Sequence, residues 1–204
     1  IEEVRNHPSQ LQLGAEAQPG DIRFSDINGD GEITPDDRTY IGDPIPDFTV
    51  GYTLNFNYKN FDLSTVLFGS FGNEIVRNFE RSQPNVNRMN YRLDRWTGEG
   101  TSDFVPRATV APTANDVFSD FFVEDGSFVR IQNVNIGYNL PTRWVERIAL
   151  KELMVYARVD NLFTFTEYSG YDPTASTGAP IGGGIDFGFY PIPRNFIFGV
   201  KAQF

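Results

Sequence analysis

The chain has 204 residues, no cysteine, a single histidine (His7) and a formal net charge of −10. Those numbers exclude disulfides, thiolate metal sites and a histidine-based triad, and the acidity argues against a nucleic-acid partner. No apolar run approaches the length of about 18 residues that a transmembrane helix needs. A membrane β-barrel stays open, because alternating strands leave the mean hydropathy, here −0.34, near that of a soluble protein.

Residues 1–46 read as an extracellular loop without clear periodicity, interrupted by Pro8 and Pro19-Gly20, with Asp21–Phe24 as a possible short strand. The opening Ile1-Glu2-Glu3 carries neither Met nor a signal-like apolar run, so the expectation is a piece of something longer. Within this loop, residues 26–37 fit the twelve-position calcium loop of the EF-hand. Asp26, Asn28 and Asp30 take positions 1, 3 and 5, Gly31 the sharp turn at 6, Glu32 the carbonyl at 7 and Ile33 the apolar anchor at 8. Position 12 is Asp37 rather than Glu, a shorter arm that must draw the loop in to reach an ion. Hard oxygen donors at this spacing suit a structural calcium ion, and the competing reading is a solvated Asn-Gly/Asp-Gly turn. Neither flank reads as an EF-hand helix, so the expectation is a clip and not a switch.

From Asp47 the pattern changes to period two. Val50, Tyr52, Leu54, Phe56 and Tyr58 share one face, with Thr49, Thr53, Asn55 and Asn57 on the other. Lys59-Asn60 makes a tight reversal, and Phe61–Phe71 forms the return strand. Each strand runs to roughly 11 residues, against about 5–6 in soluble sheets and about 9–11 in transmembrane barrels.

Residues 73–125 read as a long polar loop with Pro84, Pro106 and Pro112, and with one or two helical turns at Tyr91–Trp96. Trp96 is a candidate partner anchor, or packs inside its own loop. Ser127–Leu140 is the third strand. Val134, Ile136, Tyr138 and Leu140 share its apolar face, but Arg130 and Gln132 break the parity, which a bulge near Gln132 or emergence from the membrane would explain. After the connection 141–151, Glu152–Phe165 turns Leu153, Val155, Ala157, Val159 and Phe163 outward and Tyr156, Arg158 and Asp160 inward. Arg158, Asp160 and Lys201 then line a lumen, touching cargo or forming an ion-pair network.

Residues 166–192 are a second long loop. Tyr168, Tyr171, Phe187, Phe189 and Tyr190 are candidates to stack on a sugar or peptide, or to form an interfacial aromatic girdle. Gly182-Gly183-Gly184 leads into no helix and so is no phosphate loop. Glu167, Asp172 and Asp186 show no spacing that singles out acid/base catalysis, and no enzyme is expected. The last strand, Arg194–Phe204, alternates Phe196, Phe198, Val200, Ala202 and Phe204 against Asn195, Lys201 and Gln203.

Connections therefore alternate short and long, as in barrels with short periplasmic turns and long extracellular loops. Five strands cannot close a barrel, and an open edge in lipid costs several kcal/mol per unsatisfied group. The expected fold is all-β: membrane-embedded strands over residues 47–204, belonging to a larger barrel. The alternative is a soluble sandwich, a secreted calcium-dependent carbohydrate-binding module, in which the same alternation faces a core.

The run PGDIRFSDINGDGEITPDDRTYIGDPIPDFTVGYTLNFNYKNFDL resembles the C-terminal part of the SusC/RagA family of TonB-linked outer-membrane proteins of Bacteroidetes. So do FFVEDGSFVRIQNVNIGYNLP, LMVYARVDNLFTFTEYSGYDP and GIDFGFYPIPRNFIFGVKAQF, in the family's order. The resemblance implies the final five strands of a 22-stranded barrel in the bacterial outer membrane, with a plug domain and a TonB-contacting segment outside this chain. It further implies import of oligosaccharides or peptides powered through TonB, under a SusD-like surface lipoprotein that the long loops would hold.

Overall fold

The computed structural model describes residues 2–80, 87–174 and 183–204; Ile1, Pro84 and Gly182 lie outside them. The chain divides into two compact units, Ile1–Ile41 with Phe79–Phe122, and Gly42–Asn78 with Val123–Phe204. The segment before the first strand and the middle of the first long loop thus form one body.

The second unit is β throughout. Its strands are β1 (Phe48–Tyr58), β2 (Phe61–Phe71), β3 (Glu74–Arg77), β4 (Val123–Asp125), β5 (Phe128–Asn139), β6 (Glu152–Thr166), β7 (Ile185–Asp186) and β8 (Asn195–Gln203). The five long ones make one sheet in the order β1-β2-β5-β6-β8. Every pairing in it is antiparallel, so each strand lies beside the next long strand in sequence. The tight β1–β2 reversal rests on Lys59, which takes a left-handed conformation at φ 53°.

Register sorts the side chains into two faces, because residues directly opposite on paired strands project the same way. Phe56, Leu63, Ile136, Ala157 and Phe198 form one cross-strand row, and Leu54, Thr65, Val134, Val159 and Phe196 the next. Tyr58, Phe61, Tyr138, Val155 and Val200 form a third. This face is apolar along its length yet open, with Phe56 57 % and Phe198 79 % exposed. The opposite rows read Asn55, Ser64, Asn135, Arg158, Ile197, and Thr53, Val66, Asn133, Asp160, Asn195, polar but for Val66 and Ile197. A sandwich would set a second sheet against the apolar face, and among the described residues nothing buries it.

The parity break in β5 is a bulge. Pairing with β2 skips Gln132, and pairing with β6 steps from Ile131–Phe163 to Asn133–Asp160. Asn161, within the skipped part of β6, is left-handed at φ 54°. The extra residue exchanges the two faces, which places Val129 and Ile131 on the apolar side and Arg130 on the polar side.

A second, small sheet sits in the long loops, which carry no strand period in the sequence. Its order is β4-β3-β7, with β3 and β7 parallel. Between β5 and β6 the connection folds into the short helix Thr142–Val145 and a 3-10 turn at Glu146–Ile148, with Val145 buried.

The first unit has little regular structure: a helical turn at Glu2–Arg5 and 3-10 turns at Leu11–Leu13, Pro35–Asp37, Asn90–Asp94 and Asp120–Phe122. The turn at Asn90–Asp94 matches the helical turns expected near Trp96. The short strand expected at Asp21–Phe24 does not form. Its backbone donors go to side chains instead, Ile22 N–H to Asn115 Oδ1 at 2.8 Å and Phe24 N–H to Gln10 Oε1 at 3.1 Å. Gln10 is fully buried and also donates from Nε2 to the Ile22 carbonyl at 3.3 Å, standing in for a neighbouring strand.

Candidate functional site

The polar face of the five-stranded sheet carries the hydrogen-bonding chemistry of the second unit. Asp160 Oδ1 accepts from Asn133 Nδ2 at 2.6 Å and from Arg158 Nε at 2.8 Å. Asp62 accepts from Asn57 Nδ2 and from Asn139 Nδ2. Arg158 and Asp160 form one ion pair, short of the network with Lys201 that was one of their two expected roles, and the Arg158 side chain keeps 49 % exposure.

Near the ends of the strands that lead into the long loops, this face is covered. Ser70, Phe128 and Arg130 are all buried. Arg130 Nε donates to Thr164 Oγ1 on β6 at 2.8 Å, and its Nη2 donates to Asp172 Oδ1 at 2.6 Å. Both partners of that ion pair have side chains only 6 % exposed. Asp172 is satisfied four times over: Thr174 N–H and Oγ1–H join Arg130 on Oδ1, and Ile192 N–H donates to Oδ2 at 3.1 Å. Burial pushes the Asp172 carboxyl up, but the Thr174, Ile192 and Arg130 donors outweigh it and hold it below the usual carboxylate value.

A second buried cluster ties the same loop to the small sheet. Tyr168 donates its hydroxyl to Asp186 Oδ2 at 2.8 Å, and Gly188 and Phe189 N–H donate to Asp186 Oδ1. Arg77 Nε lies 3.2 Å from Glu124 Oε1, whose carboxylate also accepts from Ser169. Burial, then the bond to Asp186, holds the Tyr168 phenol well above its ordinary value.

The candidates from the sequence therefore divide. Tyr168, proposed as a stacking surface, is 5 % exposed and holds the loop together, so its ring faces no ligand. Tyr171 and Tyr190 are open, at 73 % and 99 %. Trp96 belongs to the first unit and packs inside it: its N–H bonds the Val105 carbonyl at 2.9 Å, and its ring fills the space where a Cβ on Gly20 would lie. Beside it Asp21 accepts from Arg107 Nε at 2.7 Å, Arg107 Nη2 at 3.1 Å and Asn115 Nδ2 at 2.9 Å. The hydrogen bond to Asp21 raises the Arg107 guanidinium above its ordinary value. Sequence reasoning missed Arg130, Glu124 and Arg77. Only Arg130 left a trace, as a charge out of parity ahead of the bulge.

In the acidic loop the side chains close on their own backbone. Asp26 accepts from Gly29 and Gly31 N–H, Asn28 Oδ1 from Asp30 N–H, and Asp30 Oδ1 from Glu32 N–H. Asp37 Oδ1 takes Ile27 and Asn28 N–H while Oδ2 takes Thr34 N–H at 2.7 Å, completing a capping box. The Thr34 bond is the largest of the influences that lower its carboxyl. Ile33, the expected anchor, is buried, and its N–H bonds the Ser9 carbonyl at 2.8 Å. Among the described residues no three or more His, Asp or Glu side chains converge on one point. The set of hard oxygens suits calcium, and an ion would use the lone pairs these N–H bonds leave free.

No protein-family model matches the chain. Over 200 residues it is 35 % identical to TonB-dependent receptor P3 of Formosa agariphila, matching 94 % of this chain and 20 % of that protein. Over 189 residues it is 30 % identical to TonB-dependent receptor SusC of Bacteroides thetaiotaomicron, matching 92 % of this chain and 18 % of the receptor. The fold matches a solved structure of the RagAB peptide transporter with TM-score 0.68 and 24 % identity, over 91 % of this chain and 20 % of that one. The chain thus spans about a fifth of the length of these relatives.

Proposed function

This chain belongs to the SusC-like TonB-dependent receptors, and we propose on that premise that it forms a sector of the wall of an outer-membrane nutrient importer. The observation that carries the proposal is the two-sided sheet. One face is apolar over five strands of 9 to 15 residues and uncovered, and the other is lined by hydrogen-bonded Asn, Asp and Arg. In this reading the apolar rows meet lipid and the polar rows meet the lumen. β1 and β8, the sheet's edges, pair with the remainder of the barrel, which removes the cost of open edges in lipid. The cargo class is oligosaccharide or peptide. Uptake is driven through TonB acting on a plug outside this chain, and a SusD-like surface lipoprotein sits over the long loops. The chain's role is transport and not catalysis.

Calcium is the ion proposed for residues 26–37, held by Asp26, Asn28, Asp30, Asp37 and the Glu32 carbonyl, where it would offset the repulsion of five carboxylates between Asp26 and Asp37. The donor types and the left-handed glycines Gly29 (φ 76°) and Gly31 (φ 90°) support that assignment.

The test is to purify the protein from its native outer membrane and weigh the intact complex in detergent. Recovery of barrel and plug sequence together with a lipoprotein is the expected result. A lone detergent-free 23.0 kDa species would overturn it.

A further inference from the structure

We propose that residues 167–174 and 183–194 of the β6–β8 connection pack inward, onto the lumenal side of the wall, and form a fixed shelf that narrows the passage at its long-loop end. The inference rests on the barrel reading, which decides that the polar face is the lumenal one.

Two observations carry it. Arg130 belongs to the polar face by register, opposite Phe68 on β2 and Thr164 on β6. Its guanidinium forms a buried pair with Asp172, which lies in the loop. Arg130 is the third residue of β5 and faces inward, so the Asp172 carboxylate that meets it lies on the polar side of the wall, and a loop spread outward over lipid could not make that pair. The second observation is where burial falls on that face. Along the inner strands β2 and β5 an isolated sheet should be about equally open at both ends of a face, yet Ser70, Phe128 and Arg130 at the long-loop end are buried, while Asp62, Ser64 and Asn135 toward the other end are half-buried and Asn139 is exposed.

The shelf is fastened at both its feet and its middle. Asp172 joins the start of the loop to its return, through Arg130 and Thr174 on one oxygen and Ile192 N–H on the other. Further along, β7 adds to the small sheet beside β3, with Asp186 bonded to Tyr168. Asn161 Nδ2, at the β6 bulge, donates to the Pro193 carbonyl at 3.1 Å and fixes the return to β8. Tyr171 and Tyr190, exposed on segments that Asp172 ties together, then stand on a rigid base. A large solute passing along the polar face meets this base before it reaches the open Asn and Arg rows, so the loop sets a size limit on cargo.

The experiment uses the full-length receptor in intact cells, with native cysteines removed and new ones introduced by Thr164→Cys and Thr174→Cys. Both hydroxyls contact the Arg130 guanidinium, at 2.8 and 3.4 Å, so a short bismaleimide should join the two introduced thiols. Adding Asp172→Asn should cut that cross-link at least about tenfold. It should also raise the reactivity of the Thr164→Cys thiol toward a membrane-impermeant maleimide by a similar factor. Arg130→Gln should do the same, while heat-modifiable gel mobility confirms that the barrel still folds. Thiols that each react singly but never cross-link would overturn the inward packing, as would an Asp172→Asn variant with unchanged rates. A Leu54→Cys control separates the two claims. Rapid reaction there with the impermeant reagent overturns the barrel reading and the shelf with it, whereas protection at Leu54→Cys with no cross-link overturns the shelf alone.

Discussion

Asp37 shows how one carboxylate can serve a loop in two ways. Its oxygens take three backbone N–H groups, and those bonds favour the charged form and lower its pKa below the ordinary value of 3.8. A carboxyl lowered in the folded state adds stability that is fully present above the unfolded value and is lost as pH falls through the lowered one. Protease cleavage within residues 26–37 should therefore stay low at neutral pH and rise only below about pH 4, and Asp37→Asn should weaken that dependence, leaving the share of Asp26 and Asp30. Chelation of calcium, or Asp30→Ala, should expose the same segment at pH 7; an unchanged cleavage pattern in both would remove the calcium assignment. Elsewhere the charged residues repay burial with partners. Arg107→Met leaves the Asp21 side chain, 3 % exposed, without its two guanidinium donors. It should lower the stability of the first unit by about 1–3 kcal/mol, read as increased hydrogen exchange in residues 18–24 and 105–115. Tyr168→Phe removes one of three donors from buried Asp186 and should cost about 1 kcal/mol, with exchange rising in the β6–β8 loop.

At the scale of the element, the strands follow from side-chain period, and their irregularities follow from the same rule. Strands β1 and β2 alternate without interruption and pair residue for residue over eleven positions. In β5 the alternation shifts by one at Gln132, and the pairing shifts with it. Deleting Gln132 should leave Ile131 opposite Leu67 and Asn133 opposite Val66 in one continuous ladder with β2, with Arg130 still on the polar face. The deletion is therefore expected to assemble, as judged by heat-modifiable mobility, and a failure to assemble would mean that the bulge itself is needed. Leu54→Arg tests the facing of β1 directly, since a charge at mid-bilayer depth costs about 2–4 kcal/mol, with the same readout. Normal assembly of Leu54→Arg would mean that this row does not meet lipid.

For the whole molecule, strand length, facing, the parity break in β5 and the alternation of short and long connections were legible in the sequence, while the pairing decided that the break is a bulge. Each is a local consequence of a period-two backbone and a solvent with two phases. The family resemblance was legible for the same reason, since its matching runs are those strands and their turns. What the sequence could not determine was where the long loops go. A loop has no period to read, and its position depends on pairings between residues far apart, such as Arg130 with Asp172 or Ile22 with Asn115. Tyr168 had the composition of a ligand platform and became a buried strut, because Asp186, eighteen residues on, was brought to its hydroxyl. Residues 21–24 looked like a strand, but Gln10 and Asn115 reached their N–H groups and no neighbouring strand was needed. Composition and period thus set the wall, while tertiary contact alone decided which polar side chains stay open on it, because burial and hydrogen bonding are properties of pairs that chain order does not encode.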